Sequence, residues 1–135
     1  MIYLDSSAIL KLVRAEAETP ALQAWLGKHP DMPAATSELG RVEVLRAARR
    51  VGDEAVAEAR RVLGDLDLVP LNRGVQDLAC ELGHPTLRTL GALHLASALV
   101  LGDSLAALVT YDGRLADAAR AESLSVVVPV DPSGP

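Results

Sequence analysis

The chain begins MIYL, four apolar residues without the alternation of a half-wet strand, and runs straight into Asp5. A strand of that kind is buried on both faces, which restricts it to a sheet covered by helices on either side. Four further runs can be strands: PAAT at 33–36, LVPL at 68–71, AALVT at 106–110 and VVVP at 126–129. Helical patterns fill each gap, and strands alternating with helices imply a parallel sheet. The expected fold is therefore α/β, a single domain with a central five-stranded parallel sheet flanked by helices on both faces. A chain of 135 residues can bury a continuous core without disulfides or structural metals. The domain is expected over 1–131, with 132–135 as a frayed tail.

The helix starts have local mechanisms. Ser6 or Ser7 can cap a first helix through Val13, Thr19-Pro20 opens a second, and Ser37 can cap a third to near Arg50. Asp53 can start a fourth to near Leu63, and Asn72 a fifth ending near Gly83. His84-Pro85 breaks the chain before a helix from Leu90 to Leu101, closed by Gly102. A last short helix follows Asp112.

Half of the residues are hydrophobic, yet there is no Phe, one Trp and two Tyr. The core must then be Leu, Val and Ala, and an aromatic platform for stacking bases is disfavoured. Cys80 is the single cysteine, which rules out an internal disulfide or a Cys-based zinc site, fits a reducing compartment and is expected in the core. No basic leader precedes the apolar start, and LGALHLASALVLG is too short to span a bilayer. A cytoplasmic protein without a membrane partner is expected. The net charge of -5 argues against binding polyanions through overall charge. It leaves room for phosphates held by a cation and by local arginines, which greatly outnumber lysines and carry the fork geometry that phosphate suits.

In parallel α/β sheets the functional crevice lies at the carboxyl ends of the strands. Asp5 and Asp112 both follow a strand and should reach that edge, where an ionised carboxylate needs a cation or hydrogen-bond donors. Glu43, on a helix from Ser37, shares a stripe with Leu39, Ala47 and Arg50 and is pointed inward, whereas Glu38 sits about 140° away. Each acid also has a plain structural role open to it. Asp5 and Asp112 can cap the helices that follow them, and Glu43 can pair with Arg46 or Arg50 on its own helix. The cap and a ligand role are compatible at Asp5 only if its oxygens are free. His94 is expected as a hydrogen-bonded histidine within the fold. Trp25, with Leu22 and Leu26, forms an apolar stripe.

The segments MIYLDSSAIL, SELGRVEVLRA, LRTLGALHLASAL and VTYDGRLADAA, in that order, resemble the four signature segments of PIN-domain nucleases. More narrowly the chain resembles the short VapC-type toxins of prokaryotic toxin-antitoxin pairs. The resemblance implies a Mg²⁺- or Mn²⁺-dependent endoribonuclease in which metal activates a water and clamps the scissile phosphate. It implies that Asp5, Glu43 and Asp112 hold that metal, with Ser7 or Thr110 helping through a hydroxyl. Arg46 and Arg50, within about 60° of Glu43 on the helix, can line the groove and meet RNA phosphates or stand as solvated surface charge. The resemblance further implies a cognate VapB-like antitoxin, to whose binding the Trp25 region would contribute, and a homodimer. One segment departs from the pattern: the family has LRxLDALHLA, and Gly91 stands in the aspartate slot. The copy is therefore expected to be impaired. The rival reading is a non-catalytic PIN-like module that retains antitoxin or RNA binding. Other nucleotide- and phosphate-handling folds lack their marks, since the first strand is followed by DSSAI rather than DxDxT or a glycine-rich turn, and no lysine follows the last strand.

Overall fold

The computed structural model describes residues 1–84 and 86–131, so the expected frayed tail at 132–135 lies outside the described residues. Five parallel strands form one sheet in the order β3-β2-β1-β4-β5, with β1 Ile2–Leu4, β2 Ala34–Ser37, β3 Asp67–Val69, β4 Ala107–Val109 and β5 Val126–Val127. The helices are α1 Ser6–Val13, α2 Thr19–Gly27, α3 Glu38–Val51, α4 Asp53–Gly64, α5 Arg73–Glu81, α6 Thr89–Leu99 and α7 Gly113–Ala121.

The missing alternation in the strands is explained by two cores. Ile2 and Leu4 join Ile9, Leu22, Val44 and Val62 on the face covered by α1 to α4. Tyr3 and Leu108 join Val75, Leu95 and Leu115 on the face covered by α5 to α7. Both faces of β1 are thus dry, and each large aliphatic side chain buried there contributes roughly 1.5–3 kcal/mol. No helix among the described residues is long and apolar enough to cross a membrane.

Three expected caps are in place: Ser37 accepts from the Gly40 amide at 3.0 Å, Asn72 from Val75 at 3.0 Å, and Asp112 from Arg114 and Leu115 at 3.0 and 3.3 Å. At the first helix the structure chooses between the two readings open to it. Asp5, not Ser6 or Ser7, is its cap, accepting from the Ala8 amide at 3.0 Å. Asp53 lies inside α4, whose cap is Gly52. The helix expected from Leu90 to Leu101 runs from Thr89 to Leu99, and Gly102, at φ 57°, begins a 3₁₀ turn. Cys80 is exposed, contrary to expectation. The buried positions of α5 are Val75 and Ala79, and one residue further the helix has turned about 100° toward solvent.

What positions the site is the strand order. Chain progress along the sheet reverses between β1 and β4, so their carboxyl ends flank a topological switch point, where crevices form in open α/β sheets. Register pairs Leu4 with Val109, and the Asp5 amide donates to the Val109 carbonyl at 3.2 Å. Asp5 and Thr110 therefore leave the sheet side by side.

Candidate functional site

Asp5 is 3% exposed and fully engaged by its surroundings. Its Oδ1 accepts from the Ser7 hydroxyl at 2.6 Å and the Ala8 amide at 3.0 Å, and its Oδ2 from the Thr110 hydroxyl at 2.5 Å. Each hydroxyl also accepts once, Ser7 from the Tyr111 amide at 2.9 Å and Thr110 from the Asp112 amide at 3.0 Å. That double use orients both hydroxyl protons toward Asp5. Burial still pushes the carboxyl above its ordinary pKa, with the three hydrogen bonds pulling the other way. The donors awaited beside Asp5 thus include Ser7 and Thr110.

Glu43 turns inward from α3, as its stripe predicts. Its Oε1 meets His94 Nε2 at 2.6 Å, and His94 Nδ1 meets the Tyr3 hydroxyl at 2.8 Å. A carboxylate only accepts, so Nε2 carries the proton, and the phenol is placed to donate to Nδ1. Burial raises the Tyr3 pKa far above that of a free phenol, more than its neighbouring hydroxyls lower it. His94 is 4% exposed, while the Glu43 side chain remains 26% exposed. The expected internal histidine is therefore a link from the core to Glu43. Sequence reasoning passed over Tyr3, although a phenol in a strand dry on both faces must find a partner.

Gly40, one turn before Glu43, was also missed. A Cβ there would stand 2.3 Å from Thr36 Oγ1 and 3.3 Å from His94 Cε1. The helix approaches the sheet and His94 this closely only because position 40 has no side chain.

Asp112 is exposed, two residues beyond the Thr110 hydroxyl that joins it to Asp5. Both of its capping bonds go to Oδ1. It lines a cleft of about 560 Å³ together with Gly91, Arg88, Arg114 and Asp117. Gly91, in α6, and Asp112, the cap of α7, thus face one space. Arg46 and Arg50 are exposed on α3 and do not line this cleft. Trp25 is half-buried against the first core, its ring 4.7 Å from that of His29.

The donors are oxygens, as a hard divalent cation prefers. Among the described residues, however, no three Asp, Glu, His or Cys side chains gather closely enough to hold a metal ion. Asp5 is taken up by three donors, Glu43 by His94, and Gly91 offers nothing. As it stands, the set does not fit a Mg²⁺ or Mn²⁺ site.

Residues 2–121 match the PIN domain family. Ribonuclease VapC35 of Mycobacterium tuberculosis is 44% identical over 131 residues, which is 96% of this chain and 97% of that protein. Among solved structures, the M. tuberculosis toxin VapC20, described as cleaving the sarcin-ricin loop, superposes with a TM-score of 0.74 at 19% identity, over 96% of this chain and 100% of that one. A chain of a toxin-antitoxin complex from Klebsiella pneumoniae gives 0.72 at 18% identity, over 97% and 99%. At these identities the two structural likenesses speak for the fold.

Proposed function

The chain belongs to the PIN-domain family and, within it, to the VapC ribonucleases, and from that premise we propose that it is an RNA-directed toxin whose cleavage is impaired at Gly91. The observation that carries this reading is the shared cleft of Gly91 and Asp112. An aspartate at 91 would add a third carboxylate to those of Asp112 and Asp117 in that cleft. Without it, the oxygen donors are too few and too engaged for a firm hold on Mg²⁺ or Mn²⁺. Ser7 and Thr110 orient Asp5, and Glu43 and Asp112 supply the remaining charge. A non-catalytic binding module is the second reading, favoured by the same glycine. In either case a cognate antitoxin is the proposed partner, supported by the fold shared with a chain of a toxin-antitoxin complex.

The test is RNA cleavage by the purified chain and its Gly91→Asp variant over a Mn²⁺ or Mg²⁺ titration. The new Cβ would come within 2.8 Å of Leu87 Cδ1, the far end of a flexible side chain that can rotate away. The variant is expected to bind the cation more tightly and to cleave faster by orders of magnitude. Equal rates would mean that Gly91 is not the missing position. Asp117, in the same cleft, would then be the residue to mutate. Asp103 is less suited than its sequence position suggested, because it sits in the turn before β4, at the amino edge of the sheet.

A further inference from the structure

The cleft beside Gly91 carries two arginines that the carboxylate argument does not use. Arg88 precedes α6 and Arg114 lies in the first turn of α7, and both line the 560 Å³ space with Gly91 and Asp112. Neither makes an ion pair among the described residues, and the nearby Asp117 is matched instead by Arg120 at 3.6 Å. A second hollow of about 610 Å³ continues past Arg114, sharing Leu87, Arg114 and Asp117 with the first. The start of α6 adds to the positive field, since Arg88 occupies its cap position without a side-chain cap bond.

With glycine at 91, the ionisable side chains lining this cleft are two arginines and two aspartates. The space is neutral rather than acidic, and its two cations are free to turn inward. We infer that Arg88 and Arg114 form a metal-independent site for RNA backbone phosphate, so that this copy grips RNA without needing a divalent cation. The inference rests on the RNA-directed reading above and names the residues that serve it. Guanidinium forks match phosphate oxygens in pairs, and a chain of net charge -5 can attract a polyanion only through such a local arrangement. Arg46 and Arg50, which share the helix of Glu43, lie outside the cleft and are not the principal contacts.

The experiment is fluorescence anisotropy of a labelled single-stranded RNA with the full chain in EDTA, using wild type, Arg88→Ala/Arg114→Ala and Arg46→Ala/Arg50→Ala. The first pair is expected to lose affinity by about tenfold or more, the range for hydrogen bonds to charged groups, and its salt slope should become shallower by roughly 0.7 for each phosphate left unneutralised. The second pair should bind as wild type does. Thermal melts of both pairs should match wild type, because all four side chains are exposed. Undiminished binding by the first pair, equal loss by the second, or binding only with added Mg²⁺ overturns the inference. So does a loss confined to a co-purified antitoxin, which would assign the arginines to a protein partner. Cleavage by Gly91→Asp reports separately on the catalytic reading, so either idea can fail while the other stands.

Discussion

Replacing Gly40 by Ala should destabilise the protein even though alanine is the better helix former. The exchange gains about 1 kcal/mol of helix propensity. Against this stands a new methyl 2.3 Å from Thr36 Oγ1 and 3.3 Å from His94 Cε1. Thr36 is fully buried and its hydroxyl has no hydrogen-bond partner among the described residues, and a β-branched side chain has few rotamers to escape into. Overpacking costs about 1–3 kcal/mol, and an approach this close belongs in the upper part of that range, about 2–3 kcal/mol, so a net loss of about 1–2 kcal/mol is expected, read by urea unfolding as a lower midpoint at constant slope. The mechanism is tested by pairing. Thr36→Ala removes the clashing atom and should rescue Gly40→Ala, with a coupling of roughly 1–2 kcal/mol. Thr36→Val keeps an atom of that size and should not. A Gly40→Ala variant as stable as wild type, or no rescue by Thr36→Ala, would refute the claim that α3 needs a bare backbone over Thr36 and His94.

One buried acid and one buried phenol give two pH signatures. Burial raises the folded-state pKa of Asp5 above the ordinary value near 3.9, so the folded chain holds that proton more tightly than the unfolded one. The corresponding stability is full below about pH 3.9 and lost as pH rises through the raised value. Asp5→Asn should therefore show a flatter stability profile as pH rises above about 4, in EDTA; an unchanged profile would count against the buried charge as its source. Tyr3→Phe should cost about 1–3 kcal/mol near neutral pH by leaving His94 Nδ1 without its 2.8 Å partner. Because the phenol is raised by burial, the stability it adds is present below about pH 10 and lost above. The variant should accordingly lose less than wild type when unfolding is repeated at about pH 10.5.

What could be seen in the sequence was local. Apolar runs without alternation marked dry strands, and Ser37, Asn72 and Asp112 marked helix starts because a short polar side chain bonds amides two or three residues on. The pairings that build the site are not local. Glu43 meets His94 across 51 positions and Tyr3 meets it across 91. Both depend on which face of α6 lies over β1, which follows from the strand order and not from any helix period. The helical stripe correctly turned Glu43 inward, and it placed Arg46 and Arg50 near Glu43 in angle, where they stand exposed and outside the cleft. The side of Glu43 that matters is the one facing α6, and the arginines of the open cleft come instead from the starts of α6 and α7. The resemblance to signature segments was informative for the same reason, since it carries long-range placement that spacing alone does not.

The two parts of the site answer differently to change. Tyr3, His94 and Glu43 form a hydrogen-bonded row reaching from the core, and losing Tyr3 or Glu43 leaves a buried imidazole nitrogen without that partner, at a cost of about 1–3 kcal/mol. Position 91 supports no such row. It is half-exposed, near the start of α6, and a side chain there meets first the mobile end of Leu87. A glycine in that place weakens the helix by no more than about 1 kcal/mol and takes nothing from either core. Chemistry can therefore be lost at 91 while the sheet, the switch-point crevice and the arginines around it persist. A folded copy that still holds RNA but cuts it poorly is the outcome this division of the site favours.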